Sequence, residues 1–155
     1  MRLSILASLV SAAFSVSALA SEKPGDLVAY LVKQMGGAEA HLGGRTDIMT
    51  DCAIDFVANG DRLIATYSDI DGSRRNVRGL FEVKAKTRVK KLDEKARTAT
   101  VENEYVENLG NGKTRKSVYR ARLEIRTDNR GQVTFVNVGW NSDRGEPFMY
   151  GCAIQ

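Results

Sequence analysis

Hydrophobic positions near the N-terminus of this chain follow the period of a helix, and those farther along follow the period of a strand. Five apolar residues recur at helical spacing: Leu27, Val28, Leu31, Val32 and Met35. This spacing predicts one helix with a single apolar face. Pro24 suits the first turn of that helix and Gly36-Gly37 its end. Residues 38–50 carry no sustained period and predict a connector, with a short helical turn at 38–42.

From Cys52 onward, apolar and polar residues alternate, which is typical of strands. Turn sequences separate the alternating runs: Asn59-Gly60, Asp71-Gly72, Gly110-Asn111-Gly112 and Asp128–Gly131. The last run covers residues 148–153. The pattern predicts a mainly β protein of the α+β type, in which the N-terminal helix precedes a seven- or eight-stranded antiparallel up-and-down meander. No connection is long enough for a parallel crossover helix.

Side-chain matching predicts the registers of two hairpins. With Asn59-Gly60 as the turn, Cys52 is expected opposite Tyr67, on the buried face. Residues 77–91 and 97–107 are expected to pair with Lys84 opposite Glu104, because that register matches opposite charges.

Cys52 and Cys152, the only cysteines, are predicted to form a disulfide. They fall on the first and last strands of the predicted meander. A disulfide needs α-carbons within about 7 Å, so the bond predicts that the two ends of the meander meet. A strongly curled sheet or a closed barrel satisfies that requirement, with the helix across one face or mouth. An open antiparallel sheet wrapped around the helix is the alternative.

The N-terminus resembles an export signal. Arg2 precedes an uncharged stretch over residues 3–19 that closes on Ala18-Leu19-Ala20, which is typical of a cleaved signal peptide. We expect residues 1–20 to be removed, leaving 21–155 as a single helix-plus-β-meander domain without a transmembrane segment. The expected location is the periplasm or the secreted fraction. The chain contains no Asn-x-Ser/Thr glycosylation sequence, which favours a bacterial periplasm.

Charge is unevenly distributed along the chain. Residues 74–97 hold ten basic and three acidic side chains, a local net charge of +7. Alternating basic residues on two strands are expected to form basic faces for an anionic partner. The predicted partner-binding residues are Arg74, Arg75, Arg78, Lys84, Lys86, Arg88, Lys90, Arg120 and Arg122. A solvated outer face, partly neutralised by glutamates, explains the same pattern.

The sequence carries no recognisable catalytic, metal-binding or nucleotide-binding motif, and no cofactor is predicted. His41 is the only histidine, so no multi-histidine zinc site can form within one chain. Four aromatic residues are possible ligand-lining residues: Tyr67, Tyr105, Tyr119 and Trp140. For Tyr119 and Trp140, which fall on the apolar face of their predicted hairpin, core packing is the favoured explanation. Nucleic acid is not expected as a partner, because no aromatic residues are interleaved with the basic positions.

Three functions are compatible with these features. The first is an exported, non-catalytic binding module, such as an inhibitor or envelope accessory factor, that binds an anionic protein or envelope component through a basic strand face. The second is a carrier of a small apolar ligand inside a β-barrel. The third is an enzyme whose active site is assembled from scattered residues.

Overall fold

The computed structural model describes residues 23–141 and 147–155, which form one helix and nine antiparallel strands in a single sheet. The predicted signal peptide, residues 1–20, lies outside the described residues. The elements are α1 (Pro24–Met35), β1 (Glu39–Arg45), β2 (Asp51–Asn59), β3 (Arg62–Asp71), β4 (Arg74–Val83), β5 (Arg88–Asp93), β6 (Thr98–Gly110), β7 (Lys113–Thr127), β8 (Val133–Asn141) and β9 (Phe148–Ile154).

The predicted helix is confirmed, together with its apolar face and both ends. Pro24 occupies its first turn, and Gly36 ends it in the left-handed conformation with φ 77°. Its four buried residues are Leu27, Val28, Leu31 and Met35. They pack into the core beside β3, β5 and β7. Within the described part of the chain, no helix is long and apolar enough to cross a bilayer.

The strands pair in the order β4-β3-β2-β1-β9-β8-β7-β6-β5. This order joins two meanders, β1 to β4 and β5 to β9, through a short β1–β9 pairing that matches Gly44 with Ile154 and Arg45 with Ala153. The predicted antiparallel hairpin architecture is therefore confirmed. The predicted strongly curled sheet or closed barrel is not, because the outer strands β4 and β5 do not pair with each other among the described residues.

The prediction of seven or eight strands is wrong, because two features escape the sequence pattern. Residues 39–45, predicted as a connector, pair with β2 along their whole length. The predicted long strand 77–91 is instead two strands, interrupted at residues 84–87. Thr87 makes that interruption a tight turn: its N–H donates to the Lys84 carbonyl at 3.0 Å, and its Oγ1 accepts from the Lys84 N–H at 2.7 Å. The turn contains neither glycine nor proline.

Two predicted registers are also wrong. In the β2–β3 hairpin Asn59 pairs with Arg62, so Cys52 lies opposite Asp69 rather than Tyr67. The turn begins at Gly60, which takes φ 61°. β6 pairs with β7 on one side and with the short strand β5 on the other, where Arg88 pairs with Glu102. Lys84 consequently has no strand partner on β6.

One face of the sheet, the inner face, carries the core. Phe56, Phe81, Val101, Leu123 and Val138 are all at most 1% exposed. The opposite, outer face carries most of the charged residues of β5, β6 and β7. The alternation predicted for β7 and β8 is confirmed, with Leu123 paired with Val138.

The predicted disulfide is confirmed. Cys52 on β2 and Cys152 on β9 are bonded, with their α-carbons 5.9 Å apart, and both are buried. Because β1 is an additional strand, the bond joins the second and last strands rather than the first and last.

Candidate anion-binding cleft

The structure divides the predicted partner-binding residues into two groups. Four of them form ion pairs with acidic neighbours at 3.1 Å or less, and a fifth, Arg120, lies 3.7 Å from Glu102. Arg75 contacts Asp55 at 2.5 Å, Arg78 contacts Asp69 at 3.1 Å and Lys84 contacts Glu82 at 2.8 Å. Arg88 contacts both Glu102 at 3.1 Å and Glu104 at 2.5 Å. These four side chains already have counterions within the protein.

The other predicted residues lie in three places. Arg74 begins β4 at the β3–β4 turn, and Lys86 lies in the turn between β4 and β5. Lys90, Arg120 and Arg122 come together on the outer face of β5 and β7. The structure therefore brings together only three of the nine predicted residues in one cleft.

That cleft, the basic cleft, crosses three strands of the outer face. It has a volume of about 270 Å³ and is lined by Lys90, Lys91, Thr98, Thr100, Arg120 and Arg122. No carboxylate is among these lining residues. The lining thus combines four cationic side chains with two hydroxyl groups, all of which can donate hydrogen bonds.

A β-bulge explains why two consecutive lysines line one cleft. Val89 pairs with Val101 and Lys91 with Thr100, so Lys90 is an extra residue without a partner on β6. In a regular strand, Lys90 and Lys91 would point to opposite faces. The bulge lets both lysines line the cleft.

A cross-strand row runs along the floor of the basic cleft. Thr100 of β6 pairs with Lys91 on one side and with Arg122 on the other. The Nε atom of Arg122 is buried and has no hydrogen-bond partner within residues 23–141 and 147–155. Buried donors without a partner are uncommon in folded proteins.

Acidic residues beside the basic cleft contact two of its cations, Arg120 and Lys91, as well as partners outside it. Glu102, whose side chain is 11% exposed, contacts Arg88 at 3.1 Å and Arg120 at 3.7 Å. Glu124 accepts from Arg126 at 2.7 Å. Asp93 accepts from the Ala96 N–H at 2.9 Å, and its second oxygen is 4.0 Å from Lys91. Arg122 has no such ion pair in the described chain.

The predicted ligand-lining aromatics do not share one cavity. The Tyr105 and Tyr119 rings are 6.0 Å apart, and Tyr119 meets Trp140 at 6.4 Å. Tyr67 instead stacks on Tyr150 at 5.4 Å, in a separate cleft of about 440 Å³. Trp140 is 42% exposed, so the explanation by core packing is wrong for this residue.

A larger cleft of about 560 Å³ lies between the end of β4 and β6. It is lined by three apolar residues, Ile64, Val83 and Ala85, and by six charged or amide residues, Arg62, Glu82, Lys84, Lys86, Asn103 and Glu104. The Tyr119 hydroxyl donates to Glu82 at 3.0 Å. Burial, and secondarily the nearby Glu82 carboxylate, raise the pKa of Tyr119 well above its ordinary value.

Lys91, Thr98 and Thr100 are cleft residues that the sequence pattern misses. Regular alternation from Lys84 to Lys90 excludes Lys91, and only the bulge reverses that assignment. The two threonines carry no charge signal of their own. The one indication that they belong to the cleft is their alternation on β6, the strand that pairs with Arg120 and Arg122 of β7.

The described residues contain no group of three or more His, Cys, Asp or Glu side chains arranged to hold a metal ion. Comparisons with protein-family models, curated proteins and solved structures find no match.

Proposed function

We propose that this protein is an exported, non-catalytic binding module that recognises an anionic macromolecule through the basic cleft. The partner is an acidic protein or an envelope component, so the module acts as an inhibitor or an envelope accessory factor. One observation carries the proposal: four cations and two hydroxyls converge in a cleft whose lining contains no carboxylate. Such a site attracts anions over a distance and orients them on contact.

The export part of the proposal rests on the N-terminal sequence and on the disulfide. Cys52 and Cys152 are both buried and bonded, and disulfides persist mainly in oxidising compartments. In our proposal the mature protein works in the periplasm or outside the cell.

We also propose that the sheet curls so that the free edge of β4 packs against β6 and β8. The outer strands β4 and β5 are joined by residues 84–87 alone, which span only about 17 Å when extended. The Asn103 side chain on β6 donates to the Glu82 carbonyl on β4 at 2.8 Å. A Cβ at Gly79 on β4 would lie 2.6 Å from the Val138 carbonyl oxygen on β8.

The packed inner face supports a binding module over a carrier of apolar ligands. The cleft of about 560 Å³ between β4 and β6 combines three apolar residues with six charged or amide residues. Carriers of apolar ligands need a cavity lined predominantly by hydrophobic side chains. On the inner face those side chains are packed against one another in the core.

A retention experiment tests the proposal. The mature protein is passed over an immobilised polyanion at low salt and eluted with a salt gradient, beside a K91Q/R122Q variant. We expect the variant to elute at clearly lower salt, because retention rests on the cleft cations. The matched control is R74Q/K86Q, which removes the same charge outside the cleft and is expected to elute near the wild type.

Two results contradict the proposal. The first is a wild-type protein that is not retained at low salt. The second is equal loss of retention in both double variants, because retention would then depend on net charge alone.

A further inference from the structure

The size and donor set of the basic cleft indicate which anionic group it holds. We infer that this group is a phosphate ester, and this inference rests on the function proposed above.

The volume of the basic cleft limits its ligand. Sites for drug-sized molecules measure about 300–1,000 Å³, and this cleft measures about 270 Å³. The cleft is thus slightly smaller than such sites, and a compact anionic group of a larger partner suits it.

The arrangement of donors favours a tetrahedral anion over a carboxylate. The cations come from β5 and β7, on opposite sides of the threonines on β6. A carboxylate presents two coplanar oxygens and is satisfied by one guanidinium fork. A phosphate monoester presents three strong acceptor oxygens and up to two negative charges. Donors on both sides of the β6 threonines can reach acceptor oxygens that point in different directions, as those of a phosphate do.

Arg122 is the central residue of this inference. Its guanidinium has no ion pair within the described residues, and its Nε lies buried without a hydrogen-bond partner. Its cross-strand neighbour Thr100 places a hydroxyl beside it. Arginine suits phosphate because its planar donors bind two oxygens at once. Lys91 approaches from the other side of Thr100 and adds a second positive charge.

Titration with simple anions tests the inference. Inorganic phosphate, sulfate and acetate are added to the isotope-labelled mature protein at constant ionic strength, and amide shifts are followed by NMR. We expect phosphate to give saturable shifts at Thr98, Thr100 and Arg122, with acetate at least about tenfold weaker. Acetate equal to phosphate, or shifts elsewhere only, would overturn the inference.

Three variants identify the residues responsible. R122Q is expected to weaken phosphate binding about tenfold, and T100V to weaken it less, whereas K86Q is expected to bind like the wild type. Circular dichroism checks that each variant is folded, and K91Q replaces R122Q if that variant is not. Unchanged phosphate affinity in a folded R122Q and in K91Q would overturn the inference.

A vesicle experiment distinguishes the sources of the phosphate. Phosphatidylcholine vesicles with and without phosphatidic acid are sedimented with the protein. Phosphatidic acid-dependent sedimentation that R122Q abolishes supports a lipid phosphate, and phosphate binding without sedimentation supports a phosphate on another carrier.

The two proposals fail separately. Polyanion retention through the cleft without phosphate selectivity overturns the inference and leaves the proposed function. Selective phosphate binding without retention of any polyanion supports the inference and overturns the proposal that the partner is a macromolecule.

Discussion

Cys52 and Cys152 are bonded across a strand that lies between them in the sheet order. β1 separates β2 from β9, and neighbouring strands lie about 4.8 Å apart. Two strands with a third between them would be about twice that distance apart in a flat sheet. The α-carbons of the two cysteines are only 5.9 Å apart, so β2 and β9 converge at the bond.

Removing the disulfide is expected to destabilise the protein substantially. The bond closes a loop of 100 residues, for which the chain-entropy model gives a stabilisation of about 4.7 kcal/mol before any strain. Urea unfolding of the oxidised wild type, the reduced wild type and a C52A/C152A variant measures the effect. Coinciding midpoints for the oxidised protein and the double variant would contradict the expectation.

Gly44 is expected to tolerate no side chain, whereas the adjacent Gly43 is expected to tolerate one. A Cβ at Gly44 would lie 2.0 Å from the Ala153 carbonyl oxygen, while a Cβ at Gly43 meets nothing within 4 Å. We expect G44A to lower the free energy of unfolding by about 1–3 kcal/mol or more. G43A is the matched control in the same strand and is expected to be neutral or slightly stabilising. Equal unfolding midpoints for the two variants would show that β9 does not approach β1 as closely as described.

Asn103 is expected to be important for the contact between β4 and β6. Its side chain is 3% exposed, donates to the Glu82 carbonyl at 2.8 Å and accepts from the Thr87 hydroxyl. N103A removes both bonds and leaves buried polar groups unpaired, so we expect a loss of about 1–3 kcal/mol in the free energy of unfolding. Denaturant unfolding beside N76A, a change at an exposed asparagine of β4, measures it. A loss no greater than that of N76A would exclude a structural role for this side chain.

Alkaline pH is expected to destabilise the protein in part through Tyr119 and Tyr67. Burial is the main cause that raises the pKa of each above the ordinary value of 10.0, with Glu82 adding to it at Tyr119 and Asp69 at Tyr67. Both tyrosine hydroxyls therefore lose their protons at a lower pH in the unfolded state than in the folded state. The contribution of the two protonated hydroxyls to the free energy of unfolding is complete below about pH 10 and decreases as the pH rises above that value.

Unfolding free energies measured between pH 8 and 11 check this expectation. Y119F and Y67F are each expected to show a shallower decline than the wild type above pH 10, because phenylalanine has no proton to lose. Identical slopes for the three proteins would show that neither hydroxyl is responsible.

Local pattern was sufficient for features that depend on neighbouring residues. The helix follows from the spacing of Leu27, Leu31 and Met35, which are all buried. The β7–β8 hairpin follows from alternation about the Asp128–Gly131 turn. The disulfide follows from the presence of just two cysteines in a chain with an export-like N-terminus.

The basic cleft depends on contacts between strands that local pattern does not contain. The density of basic residues along the chain predicted Lys90, Arg120 and Arg122 as partner-binding residues. It predicted Arg75, Arg78 and Arg88 for the same reason. Their ion pairs with Asp55, Asp69, Glu102 and Glu104 are visible only once the strands are paired.

The sequence by itself determined the helix, the antiparallel hairpins and the cysteine pairing. Periodicity and turn residues lie within single segments of the chain, and the number of cysteines is known without any structure. Tertiary structure alone decided that residues 39–45 form a strand, that residues 84–87 form a turn and that Lys91 joins Thr100 and Arg122 in one cleft. The strand and the cleft arise from pairing between separate segments, where one bulged residue on β5 changes which side chains share a face. The turn is closed by bonds between Lys84 and Thr87, which no glycine or proline marks in the sequence.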